Sequence, residues 1–357
     1  MDLTSFSDAI IEREAPVLVT GAAGFIGKSV VRSLLNAGFR NVRCLTRCLS
    51  KSADRLGLIS SQGIAPHMEV IRGNLLSRKD CLAATRGIAV IYHLAASTGE
   101  KSFPDAFMNS ALATRNLIEA FLQNGRPRRF VNVSSFAVYS NRGLKRGAVL
   151  DETCPLEDSP QERFDPYAFG KLKQEEIVKQ YGIEQKLPYV IVRPGTVFGP
   201  GKQTLTGRIG IDTFGFFMHL GGSNQLPLTF VDNCAEAIVL AGLKRGVDGE
   251  VFNIVDDELI TSSEFLTAHK RAVGSYFSLR VPYPLAYLLS LAWENYSKWS
   301  KGQLPPVFNR RRCAAEWKGN RFSNSKIRER LGWRPRVPMK KALEAFFGQF
   351  GARGMTT

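Results

Sequence analysis

The sequence predicts a doubly wound α/β fold, in which a parallel sheet carries helices on both faces and a smaller C-terminal portion follows. Three observations lead to this prediction. Short β-rich runs alternate with helically spaced segments through the first two thirds of the chain. A glycine-rich turn joins the first predicted strand to the first predicted helix. With 357 residues, 44% of them hydrophobic, the chain can form one large domain and a smaller one.

The predicted elements follow one another in a regular order. The first strand, PVLVTG, precedes a helix, GKSVVRSLLNAG, that should stop at Gly38. The later strands are NVRCLTR, MEVIRGNLL, IAVIYHLAA, RRFVNVSS, PYVIVRPG and VFNIVD, and the later helices include ALATRNLIEAFLQNG and YAFGKLKQEEIVKQYG. Such alternation favours parallel strands joined by right-handed crossovers. We predict a first domain over 14–195 and 229–256, and a substrate-binding portion over 196–228 and 257–350.

Composition restricts the class of protein. The opening segment, MDLTSFSDAIIEREAP, contains acids and no apolar run, so it does not read as a secretory signal. The six cysteines are scattered and form no CxxC pair, which argues against a disulfide framework or a zinc site. Together these features predict a cytoplasmic protein with reduced thiols and no metal.

The net charge of +16 leaves three interpretations open. It could reflect a solvated basic face, an anionic ligand or lipid surface, or nucleic acid, although no nucleic-acid motif accompanies it. The most apolar stretch, VPYPLAYLLSLAW at 281–293, stops at Glu294, whereas a bilayer span needs roughly 20 such residues. We expect a buried helix that lines a pocket. A helix that dips into a membrane surface and a true anchor are the alternatives.

The glycine-rich turn, VTGAAGFIGKS, carries Gly21, Gly24 and Gly27 directly after the first strand. Glycine permits a tight strand-to-helix turn and lets a pyrophosphate approach the backbone. The helix that follows offers N–H groups and a partial positive charge to the anion. A turn needed only for packing is the alternative, but the position at the start of an alternating chain favours a Rossmann-type dinucleotide site.

The end of the second predicted strand bears on which dinucleotide binds. An acid there would bond the adenosine ribose, whereas an arginine can meet a 2′-phosphate. This chain has Arg47 at that place, with Lys51 nearby. Because the guanidinium offers bidentate contacts to a phosphate, we predict NADP(H), with NAD(H) as the alternative.

A set of short motifs carries a family resemblance. They are TGAAGFIG, GNLLS, YHLAA, NVSSFAVY, YAFGK, RPGTVFGPG, FVDNCAEAI and LGWRP, and they span about residues 15 to 345. In this order they resemble the extended short-chain dehydrogenase/reductases, within the NAD(P)-dependent epimerase/dehydratase and 3β-hydroxysteroid-dehydrogenase-like group. The resemblance also implies a homodimer with a four-helix interface, for which ALATRNLIEAFLQ and YAFGKLKQEEIVKQ are the candidates.

The resemblance assigns the catalytic roles. It makes Tyr167 the acid/base, Lys171 its neighbouring cation and a holder of the nicotinamide ribose, and Ser135 the group that fixes the substrate oxygen, with Ser134 less favoured. Residues four apart share a helix face. A phenol has a pKa of about 10 in water, and a nearby cation, together with a positive nicotinamide ring, should lower it.

Further roles follow from the same resemblance. The cofactor contacts it implies, besides the three glycines, Arg47, Tyr167 and Lys171, are Phe25, Ile26, Asn74, Leu75, Leu94, Ala95, Ala96, Pro194 and Val197. Asn74 stands where the family usually has aspartate. The substrate candidates that it implies are Ser134, Ser135 and Asn109, although Asn109 could equally serve in helix capping. Arg208 is a further candidate, because the basic charge of the chain suits an anionic substrate.

The reaction class follows from what is missing. Dehydratases of this group carry an Asp-Glu pair where this chain has Phe136 and Ala137, and neither side chain can transfer a proton. We therefore predict an NAD(P)-dependent oxidoreductase or epimerase that acts on a secondary alcohol or ketone. A nucleotide sugar is the favoured substrate. The alternatives are oxidation of a sterol or other hydrophobic alcohol, and a non-catalytic, cofactor-sensing binding protein.

Overall fold

A seven-stranded parallel sheet forms the centre of the molecule. The structure is a computed structural model, which describes residues 8–47, 59–60, 63–64, 67–96, 102–202, 206–213, 215–301 and 303–351. The strands are, in chain order, β1 (Val17–Thr20), β2 (Val42–Thr46), β3 (Ile59–Ser60), β4 (Gly63–Ile64), β5 (Met68–Arg72), β6 (Val90–His93), β7 (Arg129–Val133), β8 (Val149–Leu150), β9 (Tyr189–Pro194), β10 (Thr196–Phe198), β11 (Gly210–Thr213), β12 (Phe216–His219), β13 (Leu228–Phe230), β14 (Val251–Ile254), β15 (Ser278–Arg280) and β16 (Arg321–Phe322).

Helices flank the sheet and build the C-terminal portion. They are α1 (Phe25–Asn36), α2 (Arg78–Thr85), α3 (Phe103–Ala106), α4 (Ala113–Asn124), α5 (Pro166–Glu184), α6 (Val231–Leu243), α7 (Ser262–Val273), α8 (Tyr283–Trp299), α9 (Arg310–Trp317), α10 (Ser325–Leu331) and α11 (Met339–Gly351). A π-helical turn, Phe107–Leu112, joins α3 to α4, and a 3₁₀ turn, Phe136–Val138, follows β7. Helix α1 ends two residues before Gly38, whose φ of 87° supplies the predicted stop.

The strand order in the central sheet is β14-β9-β7-β6-β1-β2-β5, and every neighbouring pair is parallel. The chain moves outward from β1 through β2 to β5, then returns to the other side of β1 with β6. This reversal is the topological switch point, where a crevice opens outside the carboxyl ends of the strands. The predicted Rossmann-type doubly wound fold is confirmed.

Each face of the sheet buries its own helical layer. Val17 and Val19 face the layer that contains α1 and α6, and Leu18 between them faces the layer that contains α4 and α5. Successive side chains of a strand point to opposite faces, so a strand covered on both sides has no polar face. All four residues of β1 are buried, and this rigid strand carries the glycine-rich turn at its end.

The C-terminal portion combines β11, β12 and β15 in a small sheet with helices α7 to α11. The division into two predicted domains stays a prediction. Within the described residues, no helix has both the length and the apolarity needed to cross a bilayer.

Helix α8 corrects the prediction of a buried helix over 281–293. Its buried positions are the small residues Ala286, Ser290 and Ser297, and the helix packs against α9. Leu288 on the other side is 59% exposed, and Trp299 is 78% exposed. The face that packs against α9 consists of small residues, which allow the two helices to approach closely. The larger apolar residues lie mostly on the outer face. Tyr283 and Tyr287 do line a cavity of about 850 Å³, so the pocket-lining part of the prediction is confirmed.

Candidate active site

A cleft of about 1020 Å³ opens at the carboxyl ends of the central strands. It brings together nearly all the residues predicted from the sequence: Gly21, Gly24, Phe25, Ile26, Gly27, Arg47, Asn74, Leu75, Leu94, Ala95, Ala96, Asn109, Ser134, Ser135, Tyr167, Lys171, Pro194 and Val197. The strands place these residues together because parallel strands end at one edge of the sheet. The cleft lies at the switch point, which is the usual ligand position in this architecture.

The glycine turn leaves no room for side chains. Gly21 has a φ of 68°, and a Cβ there would lie 2.9 Å from the backbone nitrogen of Ala95. A Cβ on Gly27 would lie 2.1 Å from the carbonyl oxygen of Gly21. Side chains at either position would push the turn and the first helical residues apart.

The N-terminus of α1 is open toward the cleft. Gly24 occupies the N-cap position, no side chain of the described residues caps the helix, and the first turn contains no acid. Bare N–H groups and the helix dipole at such an end bind an anion. The turn and the helix end thus fit the pyrophosphate of a dinucleotide.

The adenosine end of the cleft is lined by the ends of β2 and β5. Arg47 follows β2 and is exposed at the cleft wall, and Lys51 lies outside the described residues. Asn74 forms hydrogen bonds within the turn before α2. Its side-chain oxygen accepts from the backbone nitrogen of Leu76 at 3.0 Å, and its own backbone nitrogen donates to Asp80 at 2.8 Å.

The catalytic candidates converge from β7 and α5. Asp165 caps α5 by accepting from the backbone nitrogen of Ala168 at 2.9 Å, which places Tyr167 in the first turn and Lys171 one turn later. The phenol of Tyr167 and the hydroxyl of Ser135 are neighbours in the cleft, and Ser135 Oγ accepts from the backbone nitrogen of Ala137 at 3.2 Å. The Nζ of Lys171 donates to the carbonyl of Val133 at 2.7 Å. Of the two candidate serines, Ser135 is thus the one whose hydroxyl interacts with the phenol, and its role at the substrate oxygen stays a prediction.

Burial sets the protonation of this pair. It raises the pKa of the Tyr167 phenol, with Asp165 raising it further and the neighbouring Ser135 hydroxyl opposing the rise. Burial also lowers the pKa of Lys171 to about 7, against the opposing effect of Glu175. The expectation that Lys171 lowers the pKa of the phenol is not met by these side chains. Desolvation penalises both charged forms more than their neighbourhood favours them.

A buried ion pair that we did not predict lies behind Lys171. Arg193 on β9 donates to both carboxylate oxygens of Glu175, from Nε at 2.8 Å and from Nη2 at 2.6 Å. Its Nη1 donates to the hydroxyl of Tyr139 at 2.9 Å. Glu175 stands four residues after Lys171 and so shares its helix face, which is the signal that the sequence offered.

A second buried network joins β6 to the helices beside the cleft. The Nδ1 of His93 lies 2.8 Å from the hydroxyl of Thr20, and its Nε2 lies 2.9 Å from that of Thr114. Gln174 donates to the same Thr114 hydroxyl at 2.8 Å. Burial lowers the pKa of His93 to about 3, with Lys171 lowering it further, so the ring is neutral and serves to position its neighbours.

Arg208 is the exception among the predicted residues. It does not line the cleft, and its Nη1 donates instead to the carbonyl of Ala315 on α9 at 3.2 Å. The turn before β11 directs it toward α9, while Thr206, two residues earlier, lines the cleft. Its predicted contact with the substrate stays a prediction.

Several residues that line the cleft were not predicted. They are Thr20, Ala23, Leu45, Thr46, Gly73, Leu76, Ala113, Val133, Gly195, Thr196, Gly201, Lys202 and Thr206. Most extend the walls beside predicted residues. Gly201 and Lys202 come from the GPGK stretch after β10, where the glycines indicated a turn but the lysine carried no recognisable motif.

Comparison with known proteins gives relatives along almost the whole chain. The chain is 29% identical to the 3 beta-hydroxysteroid dehydrogenase/Delta 5-->4-isomerase of Mycobacterium tuberculosis, over 96% of this chain and 92% of that protein. It is 24% identical to the 3beta-hydroxysteroid-dehydrogenase/decarboxylase isoform 1 of Arabidopsis thaliana, over 96% of this chain and 81% of that protein.

Solved structures share the fold. The crystal structure of gox2253 superposes with a TM-score of 0.76 at 25% identity, covering 96% of this chain and all of that chain. The UDP-glucuronic acid 4-epimerase from Bacillus cereus, in complex with UDP-glucuronic acid and NAD, superposes with a TM-score of 0.71 at 22% identity, covering 95% and 99%. The profile of the NAD dependent epimerase/dehydratase family matches residues 17–255, which includes the glycine turn, the catalytic candidates and every strand of the central sheet. The chain belongs to this family of NAD-dependent epimerases and dehydratases.

Proposed function

We propose that the protein is an NAD(P)-dependent oxidoreductase or epimerase that moves a hydride at a secondary alcohol or ketone. The observation that carries the proposal is the meeting of Tyr167, Ser135 and Lys171 with the glycine turn in one cleft. A nicotinamide cofactor, when bound, exchanges a hydride with the carbinol carbon of the substrate.

The chain's own side chains handle the proton. In the reductive direction the Tyr167 phenol donates its proton to the carbonyl oxygen as the carbon gains the hydride. In the oxidative direction the same oxygen takes the proton back from the alcohol. Ser135, which lines the same cleft as the phenol, orients the substrate oxygen. Lys171 stabilises the phenolate while its ammonium is present, since a cation favours the charged form.

Two substrate classes remain, each favoured by a particular observation. A nucleotide sugar is supported by a 28% identical relative, a trifunctional UDP-glucose 4,6-dehydratase/epimerase/reductase of Arabidopsis thaliana, which aligns with 67% of this chain. A sterol or other hydrophobic alcohol is supported by the hydroxysteroid dehydrogenases, which align through the C-terminal portion as well. Turnover of UDP-sugars, measured by chromatography of the sugar products, and of 3β-hydroxysteroids, measured as cofactor absorbance at 340 nm, separates the two classes.

Substitution of the phenol tests the mechanism. We expect Tyr167→Phe to lower kcat by about 1,000-fold because the general acid is lost, while cofactor affinity is retained. Single-turnover rates and titration with reduced cofactor measure the two quantities. Tyr296→Phe removes a hydroxyl from the exposed face of α8 and is the matched control. Equal rates for Tyr167→Phe and the parent would contradict catalysis and favour the cofactor-sensing alternative.

Between NADP(H) and NAD(H), we infer that the cofactor is NADP(H). Arg47 supports it, because this exposed guanidinium stands at the end of β2, where an NAD-specific enzyme carries an acid. The basic side chain can pair with the 2′-phosphate and offers no acceptor to the ribose hydroxyls of NAD.

We also propose that α4 and α5 form the interface of a homodimer. Exposed apolar side chains support the proposal. They are Phe107 and Met108 in the π-helical turn before α4, and Ile183 on α5. Burying them against a second copy would remove apolar surface from water. Sedimentation velocity gives the mass of the protein in solution, and a monomer at micromolar concentration would contradict the interface.

The outer face of α8 supports a peripheral contact with an anionic membrane. Leu285, Leu288, Leu289, Tyr296 and Trp299 are exposed at helical spacing along this face. Several cations around the helix have no carboxylate partner among the described residues, and they include Arg142, Arg146, Lys298 and Lys318. An apolar face bordered by cations is the pattern of a helix that lies in the interface of an anionic bilayer.

A further inference from the structure

Lys202 stands on the wall of the cleft that faces the glycine turn. It follows the glycine-rich stretch after β10, lines the cleft and is half-buried. Its Nζ lies 5.9 Å from the centre of the Phe25 ring and donates to the carbonyl of Val197 at 2.8 Å. Phe25 is the first residue of α1, so the ammonium lies near the helix end that is open to an anion.

Among the residues that the structure describes, Lys202 has no carboxylate counterion. Within the part of the chain that the structure describes, no carboxylate lies within 4 Å of its Nζ. Burial lowers the pKa of this ammonium. A cation withdrawn from water without an anion is unfavourable, so an anionic ligand in the cleft would stabilise it.

One side chain of the C-terminal helix holds this lysine in place. The backbone nitrogen of Gly201 donates to Oε1 of Gln349 at 2.9 Å, and Nε2 of Gln349 donates to the carbonyl of Lys202 at 3.0 Å. Gly201 has a φ of 94°, a conformation that an L-residue rarely adopts. Helix α11 thus fixes the backbone from which Lys202 reaches into the cleft.

Of the described residues, three cations line the cleft, namely Arg47, Lys171 and Lys202. In the proposed function, Arg47 serves the adenosine end and Lys171 serves the nicotinamide end, which leaves Lys202 beside the glycine turn. We propose that Lys202 neutralises the pyrophosphate of the bound dinucleotide and that Gln349 is the positioning residue that holds it there. This inference rests on the proposed function.

A diphosphate could also come from a nucleotide-sugar substrate, and the same ammonium would suit it. Proximity to Phe25 favours the cofactor, because the N–H groups of the first turn of α1 and the ammonium would then face the same anion. The helix end supplies partial charges and Lys202 supplies a full one.

The test is calorimetric titration of the full chain with three probes that contain no nicotinamide. ADP-ribose contains the pyrophosphate, adenosine lacks it, and UDP supplies a diphosphate from the substrate side. We expect Lys202→Gln to weaken ADP-ribose binding by about tenfold through loss of a charge-assisted bond. Adenosine and UDP should bind as they do to the parent, and the ADP-ribose affinity of the variant should depend less on salt.

Two further variants separate charge from position. Lys202→Arg should keep most of the ADP-ribose affinity because it keeps the charge. Gln349→Ala should weaken ADP-ribose selectively, by a smaller factor, because the lysine remains but its backbone is released. Lys340→Gln makes the same change of charge at an exposed site of α11 and should leave all three ligands unaffected.

The outcomes are distinct. If Lys202→Gln binds ADP-ribose as the parent does, the inference is overturned while the proposed function stands. If UDP alone is weakened, the ammonium serves the substrate and the inference is again overturned. A parent that binds neither ADP-ribose nor adenosine contradicts the proposed function, and the inference fails with it.

Discussion

Burial, more than the charge of near neighbours, sets the protonation of the two central side chains. Tyr167 keeps its proton because desolvation penalises the phenolate, and Lys171 loses its proton easily because desolvation penalises the ammonium. Arg193 and Lys179 pair with the carboxylate of Glu175, the negative charge that opposes the fall in the pKa of Lys171. At neutral pH the phenol is therefore ready to donate a proton, which suits the reductive direction.

The pKa of Lys171 predicts a pH dependence. The groups that face its Nζ are Glu175 on its own helix, the neutral His93 on β6 and the carbonyl of Val133 on β7. As pH rises through about 7 the ammonium is lost, and the developing phenolate loses its support. We expect kcat/KM for reduction, which reports the free enzyme, to fall across that range.

Substitutions of Lys171 and Glu175 identify the group responsible. Lys171→Met should lower kcat/KM by about 100-fold and remove the decline near neutral pH. Glu175→Gln should shift the decline to lower pH, since its charge raises the pKa of Lys171. Rate–pH profiles of the parent and both variants measure these effects. An unchanged alkaline decline in Lys171→Met would show that another group titrates there.

Arg47 carries the prediction on cofactor choice. We expect Arg47→Ala to weaken NADPH binding by about tenfold and to leave NADH binding nearly unchanged, because only NADPH has the 2′-phosphate. Fluorescence titration with each reduced cofactor measures both affinities. Arg40→Ala removes an exposed arginine from the loop before β2 and serves as the control. Equal losses for the two cofactors would contradict phosphate recognition.

At the scale of single elements, α5 shows why the sequence of a buried helix can lack a single apolar face. Its nineteen residues turn Tyr167 and Lys171 toward the cleft, and they direct Gln174 and Glu175 into the buried networks of β6 and β9. Apolar and polar residues are therefore both buried, and the helix has no single apolar face. Its position between two predicted strands, in the stretch YAFGKLKQEEIVKQYG, still predicted a helix.

Helix α8 has the opposite character, with its apolar face outward. We expect the protein to float with vesicles that contain anionic lipid and to remain unbound to neutral ones. Leu288→Glu should weaken this binding by about tenfold, because it loses buried apolar area and adds repulsion. Flotation on a density gradient measures it.

A matched control distinguishes the membrane from other partners of α8. Val273 on α7 is 42% exposed, so Val273→Glu introduces the same charge outside both proposed interfaces and should float as the parent does. A parent that does not float contradicts the membrane contact. If Leu288→Glu instead lowers the mass in sedimentation, this face of α8 packs against a second copy.

At the scale of the whole molecule, a buried carboxylate ties the central sheet to the C-terminal segment. Asp256 follows β14 and accepts from the hydroxyl of Thr229 and from the Nδ2 of Asn233, both at 3.0 Å. Asn233 in turn accepts from the backbone nitrogens of Arg336 and Val337 at 3.0 and 2.9 Å. The FVDN stretch thus joins the end of β14 to the segment before α11, which is distant in sequence.

Loss of the Asp256 carboxylate should lower the stability of the folded protein. We expect Asp256→Ala to lower the free energy of unfolding by about 2–4 kcal/mol, because buried donors lose their acceptor. Glu258→Ala, an exposed acid two residues later, should change it by less than about 0.5 kcal/mol. Urea denaturation measures both variants. Equal stability for the two would show that the junction does not stabilise the fold.

The sequence determined the fold class and most of the candidate site, because both depend on local patterns. The glycine turn, the four-residue spacing of Tyr167 and Lys171, and the serines after β7 stand at the ends of regular elements. Once the strands are parallel, their carboxyl ends meet at one edge, and these residues must converge. Only the tertiary structure decided the direction of the pKa shifts, the outward face of α8, the turning of Arg208 toward α9 and the approach of Lys202 to Phe25. Each of these depends on burial or on contacts between distant segments, and such contacts leave no periodic signal along the chain.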